Sequence, residues 1–408
     1  MTLAKIPNLN QNQQSAANAI QNAFITTGTL STPFFALASL PNGALQNALT
    51  QVSGEIATGA ATAGFQSMDL FLNLMLDPFL ETRLADGSMQ GRALGFAPEA
   101  DASLPAAMSA YAGLPTKAPP RASFDQRWTV WGAAAGAAGK YKSDAATGSS
   151  NLDVRGGIFA AGIDYRVSPD TVIGFAVAGG TQTFGLDAIQ ASGRSNAVQA
   201  GVYGSTRFGN AYLSAAAAYG RHDVSTERNV AFTGMFDRLT ADYGADSFGG
   251  RIEGGYRIAA RGSFGLTPYA AVQAQRLQTP NYGEIDRTGI LTFALNYAGQ
   301  SWNDTRSELG ARADYRLMMD NGALLTLRGR AAWAHDYDTG RTINAVFQAL
   351  PGFGFNLIGA SPAADSALVS AGAELKFRNG VALRAKFDGE FADRSNVYGG
   401  SGGIYVSW

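Results

Sequence analysis

The chain has 408 residues, enough for two domains or for one large barrel with an appendage. Charged residues make up 15% of it, hydrophobic residues 46%, and the formal net charge is -1. That balance excludes a disordered chain, falls short of the surface charge of a typical soluble domain, and offers no basic block for nucleic acid. There is no Cys, which excludes a disulfide scaffold, a zinc-thiolate site and a cysteine nucleophile.

Residues 1–85 have helical character over Gln13 to Phe24 and Gly43 to Leu84, broken by Pro33 and Pro41 and ending near Pro78. No apolar run reaches the roughly 18 residues that a membrane helix needs. The run Met68, Leu70, Phe71, Leu72, Leu74, Met75, Leu76, Phe79, Leu80 reads as a helix packed against other helices, because it is too apolar for a charged surrounding. Residues 86–126 are rich in Ala, Gly and Pro and read as a linker, with a short helix within 103–113.

From Arg127 onward the sequence alternates with period two, the signature of strands with one apolar and one polar face. About twelve runs appear, near 127–140, 153–167, 171–184, 193–208, 210–223, 242–259, 264–278, 303–318, 322–338, 365–378, 380–392 and 398–408. In Val381 to Phe391, for example, Val381, Leu383, Ala385, Phe387 and Phe391 take one face, and Arg384, Lys386, Asp388 and Glu390 the other. Asn379-Gly380 before it is a hairpin turn signal. Each run is long enough to cross a bilayer at a tilt, which takes roughly 9–11 residues. The links alternate in length. Ser168-Pro169-Asp170, Gly209-Asn210, Ala260 to Ser263, Asp320 to Gly322 and Asn379-Gly380 are short. Asp144 to Leu152, Gly185 to Ser192, Val224 to Ala241, Thr279 to Trp302, Asp338 to Ala364 and Asp393 to Val397 are long.

A soluble sandwich buries its apolar faces and wets its charges. Here the charged faces are dense and carry both signs, which suits a transmembrane barrel with lipid outside and a hydrated lumen within. The expected fold is therefore an all-β transmembrane barrel of about twelve antiparallel strands, preceded by a helical and linker region of which part threads the pore. The expected lumen-lining residues are Arg251, Glu253, Arg257, Arg306, Glu308, Arg312, Asp314, Arg316, Arg328, Arg330, Glu374, Lys376, Arg384, Lys386, Asp388 and Glu390. Opposite charges among them are expected to pair and brace the wall. For the pore-threading segment the small side chains of 103–124 are the first expectation, and Gln66 to Arg83 the second.

The chain ends on an aromatic residue inside a strand, with Ile404, Val406 and Trp408 on one face and Tyr405 and Ser407 on the other. Such an end resembles the signal that outer-membrane barrels present to the barrel-assembly machinery. The stretches Arg127-Trp128-Thr129-Val130-Trp131-Gly132, Ala178-Gly179-Gly180, Gln199-Ala200-Gly201-Val202-Tyr203-Gly204, Thr305-Arg306-Ser307-Glu308-Leu309-Gly310-Ala311-Arg312 and Ala385-Lys386-Phe387-Asp388-Gly389-Glu390-Phe391 resemble the autotransporter β-domain. Leu49-Thr50-Gln51-Val52-Ser53-Gly54-Glu55 is similar to the junction between passenger and barrel in such proteins.

The resemblance implies a twelve-stranded barrel with a chain segment in its pore, type V secretion in the outer membrane of a Gram-negative bacterium, and export and anchoring of an N-terminal passenger. It divides the chain into a junction region (1–85), a linker and pore-threading segment (86–126) and the barrel (127–408). The implied partners are outer-membrane lipid, the assembly machinery and the chain's own passenger, with a monomeric barrel. Met1 is followed by no signal peptide, so the chain is expected to be the C-terminal part of a longer precursor. The alternative is a porin-like channel plugged by its N-terminal segment. No cofactor, metal or enzymatic activity is expected. His222 and His335 each precede an Asp, but each reads as a polar residue at the barrel rim rather than a catalytic base. The acidic cleavage of an Asn–Asn bond found in some autotransporters does not carry over, because the sequence has no Asn–Asn pair.

Overall fold

A computed structural model describes residues 8–76 and 127–408, apart from 233, 260–262 and 290–292. Twelve strands form the barrel: β1 Trp128–Tyr141, β2 Leu152–Ser168, β3 Thr171–Leu186, β4 Ala191–Phe208, β5 Ala211–Phe232, β6 Met235–Tyr256, β7 Phe264–Thr279, β8 Gln300–Met318, β9 Leu324–Asp336, β10 Asp365–Lys376, β11 Val381–Phe391 and β12 Ser395–Ser407. Each pairs antiparallel with its neighbour in the chain, and β1 pairs with β12 from Thr129↔Ser407 to Tyr141↔Ser395. The wall is therefore closed, which is how a sheet satisfies its backbone groups in hydrocarbon. Outward positions are apolar and exposed, as at Phe159, Val198, Ile252, Leu309 and Phe387. At the expected Asn379-Gly380 turn, Gly380 has φ +86, a conformation that favours glycine.

At the long-link end the structure departs from the expected loops. β5 and β6 run on to Phe232 and from Met235, so the expected loop Val224 to Ala241 is a projecting hairpin. Its inward residues Val224, Val230, Leu239 and Ala241 are buried in a core above the barrel. The outward face there has turned polar, with Arg221, Asp223 and Asp242, so the lipid-type pattern stops while the strands continue. The expected loop Gly185 to Ser192 shrinks to a 3-10 turn at Asp187–Ile189. The links after β7 and β9 contribute Tyr282–Gly283, Leu295–Tyr297, Thr342–Phe347 and Gly354–Ile358, which pair as a four-stranded sheet.

Three helices cap this end: α1 Gln11–Thr27, α2 Thr32–Ala38 and α3 Asn42–Ser53. α1 starts at a capping box in which Asn10 and Gln13 exchange hydrogen bonds. Asn12 then copies a strand edge, donating to the Ile358 carbonyl (2.8 Å) and accepting from its amide (2.9 Å). Ile20, Leu37, Leu45, Leu49 and Val52 are buried against the cap sheet, and Phe34 meets Phe293 and Phe347 edge-on.

A 3-10 turn at Glu55–Thr58 leads into α4 Gly59–Met75, which descends into the barrel. Its first residue lies beside Phe184 and Leu152 at the long-link end, and Met68 and Met75 lie deeper, over Gly249 and Gly201. The expectation that the Met68 run packs against other helices is overturned: the side chains that are described, to Leu76, pack on the barrel wall. The remainder of that run, and residues 103–124, lie outside the described residues.

The junction stretch Leu49–Glu55 makes the bend between α3 and α4. Gly54 has φ +79, and a Cβ there would fall 2.3 Å from the Tyr297 hydroxyl. Glu55 is buried and accepts from the Ser150 amide (2.6 Å) and hydroxyl (2.8 Å). Burial outweighs those bonds and pushes its carboxyl up to about 7 from an ordinary 4.5. The folded cap then binds a proton that the undocked chain releases between those two values. Docking is strongest below about pH 4.5, weakens as pH rises, and has lost roughly 3 kcal/mol above about pH 7. Hydrogen exchange of α1–α3 is expected to speed up from pH 5 to pH 8 beyond the intrinsic rate, and Glu55→Gln is expected to abolish the excess. An excess that persists in the variant would refute the assignment.

Candidate functional site: a two-faced lumen occupied by α4

The functional site is the lumen, and its wall has two chemically different halves. Many inward positions of β1 to β5 are apolar, most of them alanine: Trp131, Ala133, Ala135, Ile158, Ala160, Val172, Ala176, Ala178, Ala216 and Ala218. Against them pack Met68, Phe71, Leu72, Leu74 and Met75 of α4. Burying five such side chains is worth on the order of 10 kcal/mol gross. These strands carry apolar residues on both faces, one for lipid and one for the helix. That is why sequence reasoning, counting charges only on the later strands, judged the helix too apolar for the lumen.

β6 to β11 supply the other half. Arg251 donates to both Glu308 oxygens (2.7 and 2.8 Å) and to Glu253 (2.9 Å). Arg312 also binds Glu253, and donates to the Tyr212 hydroxyl (2.8 Å). Arg330 lies 3.7 Å from Glu308 and 3.6 Å from Asp388, which Lys386 meets at 3.1 Å. Towards the cap, Arg306 bridges Asp336 (2.6 Å) and Glu390 (2.8 Å). Towards the short-turn end, Asp314 lies between Arg257 (2.7 Å) and Arg316 (3.7 Å). There too Arg384 binds Glu374 and lies over the Tyr405 ring. Arg328 and Lys376 are half-buried at inward positions of β9 and β10.

Period-two reasoning missed several members of the site. Asp336 and Asp304 occupy inward positions at the cap ends of β9 and β8, on the same faces as Arg330 and Arg306. Continuing the alternation toward the strand ends would have found both. Arg341, in the long link after β9, reaches Asp304 at 3.5 Å and covers the Phe65 ring. Nothing in its loop sequence signals that. Asp69 of α4 accepts from Gln273 and Gln275 of β7, both at 2.5 Å. Near the short-turn end Trp131 donates to the Tyr203 hydroxyl (2.6 Å), which donates to Asp164. Between α4 and the charged half remains a cavity of about 140 Å³, bounded by Asp69, Asn73, Arg251, Arg306, Glu308 and Arg330.

Neither His–Asp neighbour pair forms a dyad, because successive strand residues face opposite sides. His222 is buried and bonds to Ser195 and Ser247, while Asp223 is exposed. His335 bonds to Asp365 of the next strand (2.9 Å), away from Asp336. The rim expectation fails for His222, which is 1% exposed and held within the wall. Among the described residues, no group of three or more His, Asp or Glu side chains is arranged to hold a metal ion.

Ile404, Val406 and Trp408 share the outward face of β12 and are exposed, whereas Tyr405 is buried and stacks on Trp131. The end of the chain is tied to the start of the barrel by paired hydrogen bonds between Trp128 and Trp408.

Removing one partner of a buried charge pair strands the other and costs about 3–5 kcal/mol. Arg251→Met leaves Glu308 and Glu253 short of their shared cation, with both carboxylates buried. This variant is expected to lower the temperature at which the barrel loses its compact, fast-migrating gel form. Arg238→Ala, which breaks an exposed pair with Glu227, is expected to shift it far less. Equal shifts would contradict the ranking.

The description "Autotransporter beta-domain" matches residues 130–388. The β-domain of the Bordetella autotransporter BrkA superposes with a TM-score of 0.53 at 18% identity, over 69% of this chain and 100% of that one. The translocator domain of NalP from Neisseria meningitidis superposes with a TM-score of 0.53 at 15% identity, over 80% and 97%. These two likenesses give the fold; no curated protein matches the chain by sequence. With the family description covering well over half of its residues, the chain belongs to the autotransporter β-domain family, the outer-membrane translocators of Gram-negative bacteria that export and anchor an N-terminal passenger.

Proposed function

We propose that the structure represents the end state of export, with α1–α3 outside the cell as the foot of a passenger and α4 as the last segment left in the pore. One observation carries this reading: α4 enters from the long-link end and points toward the short-turn end, where β1 begins. The barrel works as a monomer, since one chain closes it, and it carries no enzymatic activity of its own. Assembly depends on the barrel-assembly machinery, which reads Ile404, Val406 and Trp408 by strand addition before β1 covers the edge of β12.

The plugged-porin reading differs in conductance. In planar bilayers the intact chain is expected to conduct weakly, and deletion of residues 59–76 to raise the conductance several-fold. Large, steady conductance of the intact chain would favour the porin.

The assembly signal is tested separately. Trp408→Ala is expected to lower the yield of folded barrel in cells several-fold while leaving refolding of the purified chain in detergent unchanged. A loss in both settings would make Trp408 a structural residue only.

A further inference from the structure

The outer wall carries a feature that neither lipid packing nor export requires. On the cap side of β1 to β6, outward residues and the edge of the core line an open hollow of about 1000 Å³. Three guanidiniums line it, those of Arg155, Arg194 and Arg287, and none has a carboxylate within ion-pair distance among the described residues. Arg194 donates to Asn196 and Thr181, and Arg287 to Thr240 (2.9 Å). Of the acids in the hollow, Glu227 is held by both arms of Arg238 (2.9 and 2.8 Å), and Asp153 lies 3.9 Å from Lys140. Asp242 is left to set against the three guanidiniums. Hydroxyls of Ser192, Ser225 and Thr240 complete the lining.

The height of the hollow decides what it meets. Going up β1 from Trp128, a rise of ~3.3 Å per residue and a tilt of ~40° put Lys140 about 30 Å above the short-turn interface. The apolar band of such barrels is about 25 Å tall. The hollow therefore begins where the outer-leaflet headgroups lie, directly above the lipid-exposed Phe159 and Val198. Uncompensated guanidiniums bind phosphate through paired donors, and hydroxyls suit sugar.

The geometry points to a binding site for the phosphorylated saccharide headgroup of an outer-leaflet glycolipid, docked on the outer wall across β2, β4 and the link after β7. The assignment rests on the orientation that places the long links outside the cell. Acyl chains of the same lipid would run down the apolar wall beneath.

The test uses the purified full chain in detergent and an acylated glucosamine disaccharide carrying two phosphates, with binding read by native mass spectrometry. The triple variant Arg155→Gln, Arg194→Gln, Arg287→Gln is expected to lose about tenfold or more in affinity. The corresponding Arg→Lys triple variant, which keeps the charge but loses the paired donors, is expected to bind with an affinity between those of the unaltered chain and the Gln variant. All three residues are exposed, so heat-modifiable migration should show both variants folded. Equal binding of the dephosphorylated lipid, unchanged affinity in the Gln variant, or equal competition by phosphatidylglycerol would overturn the proposal. Protease accessibility of an N-terminal tag on intact cells reports the orientation independently, so a wrong orientation is distinguishable from a missing site.

Discussion

Closure of the wall by the β1–β12 pairing is the constraint from which the rest of the architecture follows. In hydrocarbon a free strand edge leaves backbone donors and acceptors unsatisfied at several kcal/mol each. The first and last strands must therefore meet, and with an even count they meet with both chain ends on the same side. Trp128 and Trp408 exchange backbone hydrogen bonds there. A chain whose earlier residues fold at the opposite end, as α1–α3 do, has to pass the wall to reach Trp128. The closed barrel leaves the lumen as the route, and α4 lies in it.

What occupies a lumen depends on what the inner wall offers. A wall charged all round would take up a helix only at the desolvation cost of its ions. In this barrel most of the lumen charges lie on β6–β11 and satisfy one another along and across those strands, as Arg251 does with Glu253 of its own strand and Glu308 of β8. That leaves the alanines of β1–β5 free to receive Met68, Leu72 and Met75. The helix matches this division. Its apolar side faces the alanines, while Asp69 and Asn73 border the cavity and the ion pairs. Contact with the apolar half holds α4 in place. The charged half, already paired within itself, offers the helix few direct bonds.

Much of this was legible in the sequence because a membrane wall obeys a strict period of two. Val381 to Phe391 reads as a strand by inspection, and the even count, the short turns and the inward position of Glu308 or Arg384 follow from the same pattern. The pattern failed where its premise changed. Above the membrane, β5 and β6 exchange lipid for water on their outer face, so Val224 to Ala241 looked like a loop although its inner face continues unbroken. In β1 and β5, runs such as Ala133 to Ala135 and Ala215 to Ala218 are apolar on both faces. Alternation is then silent about which face meets lipid and which meets a helix. The cap sheet and the bridge from Arg341 to Asp304 depend on long-range pairing between two links, which local periodicity does not encode.

The cap shows how the outer helices are held without help from lipid. Arg228 of β5 and Glu284 after β7 form a doubly hydrogen-bonded pair, 1% and 3% exposed. The guanidinium also binds the Gln51 and Phe293 carbonyls, and the Tyr297 hydroxyl joins Glu284 to the Gly54 carbonyl. An isolated buried pair contributes little to stability, but its directional bonds select one arrangement of the elements that supply them. Here those elements are the β5 extension, both ends of the link after β7 and the bend between α3 and α4. The pair is complete only when the junction sits on the finished barrel top. α4 then has its upper end fixed at Gly54 and its length fixed against the alanine wall, so the two contacts together set how far the helix reaches into the pore.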